Sequence, residues 1–401
     1  MKIHVQRLLC GLLTVLLALS AGCLKARSLD QYGYVLAIGF DKGEKLPYKI
    51  SLLLQNTQLE SDSQRSDGFT IVDAECRNLY EAMETLSAGL PYQLDFARTN
   101  LIVIQQELAK GEKGIEEILD ISFAQLRIRY NANLFLALDG AGDVLKGLKN
   151  DMEPNLTKMN MNFQAYSQES GLIPVTNITL AVEGGKTGDY DFMMPLCGAA
   201  GKQEKQADRD SIGQTSYAYL GGKLLINSKM DTTIAGAALF SGYRMVGVLD
   251  GQRTMLVMMT TGEFRMGRVQ LENDKGEAFV LHFRQDGKPA IRFQFDTSGI
   301  PRAIVSIPLV GQIDLPDSCT DTKAQLEAWT EEKLRAETEL VFAGCQAMGA
   351  DVFCFGKSAV KAFSSEKAWE AYDWKKRYPT MEAAFLYHVT LMNLPEKSIL
   401  E

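Results

Sequence analysis

The strongest constraint on this chain lies in its first two dozen residues. Lys2 and Arg7 give a short basic start, and from Leu8 to Leu24 no charge interrupts a run dominated by Leu, Val and Ala. The run ends in Leu19-Ser20-Ala21-Gly22-Cys23. A basic start, an apolar centre and small residues before a cut are the layout of a secretory signal. Here the cut falls directly before a cysteine. Ala21 and Gly22 let the backbone lie in a peptidase groove, and the Cys23 thiol can take a diacylglyceryl thioether. The reading is a lipobox: a signal peptide over residues 1–22, then a mature chain that starts at Cys23, outside the cytoplasm, with lipid holding it to a membrane. A spanning helix fits less well, because the uncharged run falls short of the ~20 apolar residues needed to cross a bilayer.

Beyond the signal, 379 residues remain, enough for two or three domains with real cores. Met255-Leu256-Val257-Met258-Met259 is much too short to be a second span. The whole chain carries a formal charge of −8, and loss of Lys2 and Arg7 leaves the mature part more acidic still. A net acidic chain without a basic cluster argues against nucleic acid as a partner, since its phosphates need neutralising by Lys and Arg. Apart from Cys10 and Cys23, the cysteines are Cys76, Cys197, Cys319, Cys345 and Cys354. An odd, scattered set without C-x-x-C reads as buried free thiols, not as a disulfide scaffold or a metal site. Cys345 and Cys354 are the one close pair, and their disulfide state stays open.

Lys25–Gln31 reads as a polar tether. Strand-like runs follow at Tyr34–Phe40, Tyr48–Leu54, Phe69–Asp73, Leu101–Ile104 and Leu134–Leu138. Between them fall helical stretches after Asn78, after Gly114 (with Ile115, Ile118, Leu119 and Phe123 inward) and over Asp143–Leu148. This alternation is an α/β pattern. From Cys197 to Gly213 the sequence collapses into Gly, Lys, Gln and Asp, the best interdomain segment in the chain. Strand-like runs then crowd together: Tyr217–Ile226, Thr232–Phe240, Met245–Leu249, Arg268–Leu271, Phe279–Phe283, Ile291–Phe295 and Ile304–Ile313. Alternation such as Ile291, Phe293, Phe295 against Arg292, Gln294 predicts a sheet with one wet face. Thr320 or Asp321 caps a long helix running to Met348, with Leu334, Thr338, Val341, Cys345 and Met348 on one stripe and Gly349 to stop it. A last strand covers Phe385–Leu394. The expected fold is α/β and α+β and multi-domain. Mixed sheets fill the N-terminal half, and one long helix covers a strand-rich sheet in the C-terminal half. The expected domains are 23–200 and 215–401, joined by a linker or long loop at 201–214.

Signatures of catalysis are missing. Gly184-Gly185-Lys186-Thr187 resembles the end of a phosphate loop, but Leu180 stands where glycine is required, and Gly221-Gly222-Lys223 is followed by Leu224. His282 and His388 have no metal-ligand spacing to another His or Cys and read as hydrogen-bonded sheet residues. There is no G-x-S-x-G and no H-E-x-x-H. Asp189-Tyr190-Asp191 could hold a cation, but reads as a pair of solvated carboxylates. The expectation is a non-enzyme with no catalytic, cofactor or metal residues, and Cys23 as the one modified site.

Several segments, in order, resemble the Ger(x)C family of spore-germination lipoproteins, the C subunits of nutrient germinant receptors. After the lipobox, Tyr34-Val35-Leu36-Ala37-Ile38-Gly39-Phe40-Asp41-Lys42-Gly43 is similar to that family's first strand and its Gly-x-Asp turn. Ile234–Phe240 and Met245–Leu249 resemble its glycine-rich strand pair. Ala350-Asp351-Val352-Phe353-Cys354-Phe355-Gly356, then Trp374 and Tyr378-Pro379 before a final strand, are the most specific match. Leu24 and Lys25 depart from the usual Trp and acidic residue, and Cys354 stands where glycine is usual. The resemblance implies a lipid-anchored subunit at the inner spore membrane, needed for nutrient-triggered germination. Its implied partners are a multi-spanning A subunit and a transporter-like B subunit. From the residues alone, Val352, Phe353 and Phe355 read as packing that ties the helix end to the sheet. An extracytoplasmic solute-binding lipoprotein is the alternative, disfavoured by the unequal texture of the two halves.

Overall fold

Strands buried on both faces are near-continuous apolar runs, and the first sheet is centred on three of them. The computed structural model describes residues 32–55, 69–148, 156–199, 220–221, 232–273, 278–297, 299–314 and 321–392, besides Val5, Arg7 and Gly11. Cys23, the 201–214 segment, Cys319 and all but Leu220 and Gly221 of the expected Tyr217–Ile226 strand lie outside the described residues. The first sheet comprises β1 (Tyr32–Lys42), β2 (Tyr48–Gln55), β3 (Phe69–Cys76), β4 (Gln93–Asp95), β5 (Leu101–Gln105), β6 (Asn133–Ala137), β7 (Met193–Ala199), β8 (Thr232–Ser241) and β9 (Arg244–Leu249). Its order is β3-β2-β1-β5-β6-β7-β8-β9, with β4 beside the start of β1. β1, β5, β6 and β7 are parallel, and antiparallel pairs flank them on both sides.

Both faces of the parallel centre are covered, which accounts for the unbroken burial of Leu101–Ile104 and Leu134–Ala137. One face packs Ile38, Phe40, Ile102 and Leu136 against helices Leu79–Ala88, Glu116–Asp120 and Ile178–Thr187. The other packs Leu36, Val103 and Phe135 against helix Ala141–Leu148 and Phe163. Asn78 caps the first helix, accepting from the Tyr80 and Glu81 amides at 3.1 and 2.9 Å. The helix expected after Gly114 ends in a π turn, Ile121–Gln125, and this turn carries Phe123 outward instead of inward, 41% exposed. An extra residue per turn rotates the side chains that follow it off the apolar stripe.

Thr232–Ser241 and Arg244–Leu249, grouped by sequence with the C-terminal strands, instead complete the first sheet. Register explains this: Met193 pairs with Leu239 and Cys197 with Ile234, so β8 returns directly alongside β7. The second sheet then holds β10 (Met266–Glu272), β11 (Ala278–Gln285), β12 (Ala290–Phe295), β13 (Pro301–Asp314) and β14 (Glu382–Leu391). β13 is the long centre, flanked by β11 and β12 on one side and by a parallel β14 on the other. Burial alternates strictly along β13 and β14, giving one wet face as expected.

The long helix, Lys323–Ala347, covers the dry face. Its cap is Thr322, one or two residues later than read from sequence, in a capping box with Gln325. Leu334, Thr338, Val341 and Cys345 are buried as expected, joined by Leu326, Thr330 and Phe342, while Met348 is half-buried. The free edge of β14 is closed from this helix: Glu331 accepts from the Val389 amide and Glu327 from the Leu391 amide, both at 2.8 Å. Thr338 and Tyr387 share a hydroxyl contact of 2.7 Å across the same interface. Two residues on neighbouring positions of this helix separate burial from exposure. Val341→Asp places an unpaired charge in the core, and we expect a loss of about 3 kcal/mol or more in urea denaturation. Leu340→Asp, at a position 59% exposed, should cost about 0.5 kcal/mol or less. Equal effects would mean that the Val341 stripe is not core.

Candidate functional site

In open parallel sheets, ligands bind beyond the carboxyl ends of the strands, where a helix N-terminus offers free amides. The corresponding position here is already filled by the protein itself. Asp41, at the end of β1, accepts from the amides of Ala141 and Gly142 at 2.6 and 2.8 Å, the first turn of helix Ala141–Leu148. Its carboxylate is buried, and desolvation raises its pKa against the lowering pull of those two amides. Gly142 leaves room for this contact, since a Cβ there would lie 2.8 Å from Ser51 Oγ. The Gly-x-Asp turn is therefore an internal clamp between β1 and the helix behind the sheet.

The phosphate-loop lookalike is also structural. Gly184 and Gly185 lie in helix Ile178–Thr187, where a Cβ would meet the rings of Phe192 and Tyr243 at 2.8 and 2.1 Å. Glycine here permits close packing of aromatic rings against the helix. His282 is hydrogen-bonded in the sheet, 3.2 Å from both Arg268 Nε and Asp314 Oδ2, and His388 lies on the exposed face of β14. Among the described residues no group of three or more His, Cys, Asp and Glu side chains is placed to hold a metal. Cys76, Cys197, Cys345 and Cys354 are free thiols, so Cys345 and Cys354 are not bridged.

The chemistry that sequence reasoning missed is at Asp189–Asp191. Neither carboxylate is simply solvated: Asp191 is 1% exposed. It accepts from the Gly242 amide in the β8–β9 turn and from the Asp351 amide after the long helix, both at 2.8 Å, and pairs with Lys375. Its own amide donates to the Asp351 carbonyl at 3.0 Å. Asp189 accepts from Trp369 Nε1 at 2.6 Å, and Lys357 sits 3.6 Å over the Tyr190 ring. These contacts join the two sheets. The C-terminal strand-and-helix unit reaches them through a Schellman ending, in which Gly349 (φ 65°) donates to Gln346 and Ala350 to Cys345.

Asp351 continues the network inward. It is fully buried and accepts from the Phe355 and Gly356 amides at 3.0 and 2.8 Å and from Trp374 Nε1 at 2.9 Å. Gly356 has to be small, because a Cβ would fall 1.5 Å from the Asp189 carbonyl oxygen. Val352, Phe353 and Phe355 are buried, with Phe342 meeting Phe353 and Phe355 edge-on. Cys354 adopts φ 57°, the left-handed region in which glycine carries no penalty, which accounts for glycine at this position in the family pattern. The 350–356 segment is thus a knot between lobes, built from sequence that pattern-reading identified only as packing. Asp191, bonded to donors 51, 160 and 184 residues away, has no local signature.

Two measurements test this junction. Asp191→Ala leaves Lys375 and two buried amides without their acceptor, and we expect a loss of about 3 kcal/mol or more; Glu84→Ala on an exposed helix face should stay within about 0.5 kcal/mol. For Asp351, desolvation raises the carboxyl from its ordinary 3.8 to about 7, against the pull of Gly356, Phe355 and Trp374. Between about pH 4 and 7 the folded chain then holds a proton that the unfolded chain has released, so this group's contribution falls as pH rises through that window. Wild type should lose stability relative to Asp351→Asn from pH 4.5 to 7.5 in parallel denaturation curves. A gap that widens in favour of wild type would show that the three N–H donors outweigh burial.

Comparison with known proteins fits this architecture. Residues 25–199 match the family described as "Spore germination protein N-terminal domain". Residues 235–394 match "Spore germination B3/ GerAC like, C-terminal". Spore germination protein KC of Bacillus subtilis (strain 168) is 30% identical over 136 residues, a stretch covering 31% of this chain and about a third (33%) of that relative's length. The crystal structure of the GerBC protein shares the fold, with a TM-score of 0.53 at 14% identity, covering 89% of this chain and 97% of that one. Two family domains matched in order, together over most of its length, place the chain in the GerAC-like spore germination protein family.

Proposed function

We propose that this chain is a membrane-tethered lipoprotein subunit of a spore germinant receptor, required for nutrient-triggered germination. The observation that carries the reading is the ordered match of both germination domains, one on each side of the 201–214 segment. Residues 1–22 direct export, and diacylglyceryl and a further acyl chain such as palmitate on Cys23 hold the mature chain at the inner spore membrane. Among the described residues no helix is long and apolar enough to cross a membrane. Attachment in this reading therefore falls to Cys23, and two or more acyl chains hold stably where one does not. The mature chain, whose first sheet runs on from the expected 23–200 domain into the start of 215–401, meets the multi-spanning A subunit and the transporter-like B subunit from outside the cytoplasm. The geometry supports a subunit that acts through its surface, since the fold's natural anion position is filled by Asp41.

Substitution of the anchor is the direct test. Cys23→Ala should abolish metabolic labelling with palmitate, leave an uncleaved precursor, and reduce nutrient-triggered germination of spores. Continued labelling of the variant, or wild-type germination without it, would overturn the reading.

A further inference from the structure

The amino ends of β5 and β6 lie side by side and reach β1 at Leu36, its fifth residue: the Asn100 amide donates to Leu36 and the Asn133 amide to Asn100, at 3.0 and 2.9 Å. The chain enters the fold at this end, at Tyr32, with eight residues between it and Cys23. Those eight residues reach about 30 Å at most, which keeps this end of the sheet within that distance of whatever surface holds Cys23. On the same end, two strands across from β1 and level with its Leu36–Ala37, the turn leading into β6 carries an unusual group of exposed side chains. Phe123 and Tyr130 are 41% and 59% exposed, and their rings pack together at 4.6 Å. Leu180, 37% exposed, stands at the start of the helix whose Thr179 amide bonds the Tyr130 carbonyl. Arg127, held at φ 54°, and Arg129 are both exposed. With the two rings they line a surface depression of about 710 Å³ whose lining holds no carboxylate.

This is an apolar and cationic spot on a chain of net charge −8. Exposed aromatic rings beside arginine suit the headgroup layer of an anionic bilayer, where rings insert and guanidinium groups meet phosphate. Net repulsion of an acidic body from that surface favours an approach that presents this spot. We propose that the Phe123–Tyr130 turn is a second, non-covalent contact of this chain with the anionic lipid surface. The inference builds on the Cys23 anchor, but its test does not depend on whether cells lipidate that residue.

The mature chain, coupled through the Cys23 thiol to a maleimide phospholipid, is placed on vesicles of phosphatidylglycerol and phosphatidylcholine or of phosphatidylcholine alone. Amide hydrogen exchange is then followed over residues 121–131. We expect exchange on the anionic vesicles to slow roughly tenfold or more relative to phosphatidylcholine vesicles, each arginine contributing about fivefold. Phe123→Ser with Tyr130→Ser, and separately Arg127→Gln with Arg129→Gln, should abolish the protection with the melting temperature unchanged. Equal exchange on both vesicle types, or protection that survives both variants, would overturn the proposal. Protection that appears only when receptor subunits are added would also overturn it, assigning the turn to a protein interface. Failure of the anchor itself is read independently, from palmitate labelling of Cys23.

Discussion

A carboxylate removed from water has to be neutralised and hydrogen-bonded or it destabilises the fold, and Asp191 imposes that requirement on both halves of this molecule. Its partners come from three places distant in sequence: the β8–β9 turn, the segment after the long helix, and Lys375 near the last strand. Each lobe supplies part of the compensation and neither supplies all of it. Asp351 lies one layer deeper and is compensated within its own lobe, by Phe355, Gly356 and Trp374. The relative placement of the two sheets is therefore set by directional polar contacts, while apolar burial supplies most of the energy around them.

Several features that resemble ligand chemistry turn out to serve this construction. Asp41 occupies the helix N-terminus where an anion would sit, and the glycines of the phosphate-loop lookalike make space for Phe192 and Tyr243. Gly356 and Gly247 do the same between lobes, the latter against Met348. In each case a residue type selected by ligand-binding motifs for close approach or charge is used for close approach or charge within the chain. A motif scan therefore yields near-misses here, because the physical requirement is met without the ligand.

How far the sequence alone could be read follows from the range of the interactions. Elements fixed by local periodicity were legible: the buried runs at β1, β5 and β6, the alternating β13, and the long helix with its Val341–Cys345 stripe. Boundaries slipped by a residue or two where caps compete, as at Thr322. Strand membership was not legible, because β8 and β9 look like their C-terminal neighbours and only pairing with β7 assigns them to the first sheet. Phe123 was misplaced because a π turn shifts the register of a helix without any compositional sign. Asp189 and Asp191 were read as solvated because flanking glycines and lysine signal a surface loop, whereas their partners lie far along the chain.

The construction of the junction also bears on the choice between a receptor subunit and a captor of small solutes. A hinged captor needs two lobes that part around a cleft, with few contacts between them outside the hinge. Here a single apolar cluster runs from Met193, Leu239 and Leu249 of the first sheet through Met255–Met259 to Val341, Phe342 and Phe385 of the second lobe. Ser241 bonds the Gly349 carbonyl at 2.8 Å, and the Asp191 network closes the rim. Opening such an interface would expose apolar area worth about 25 cal/mol per Å² and strip Asp191 of its Asp351 and Lys375 partners. The lobes therefore share one continuous core, with no cleft among the described residues of the kind a hinged captor closes around its solute.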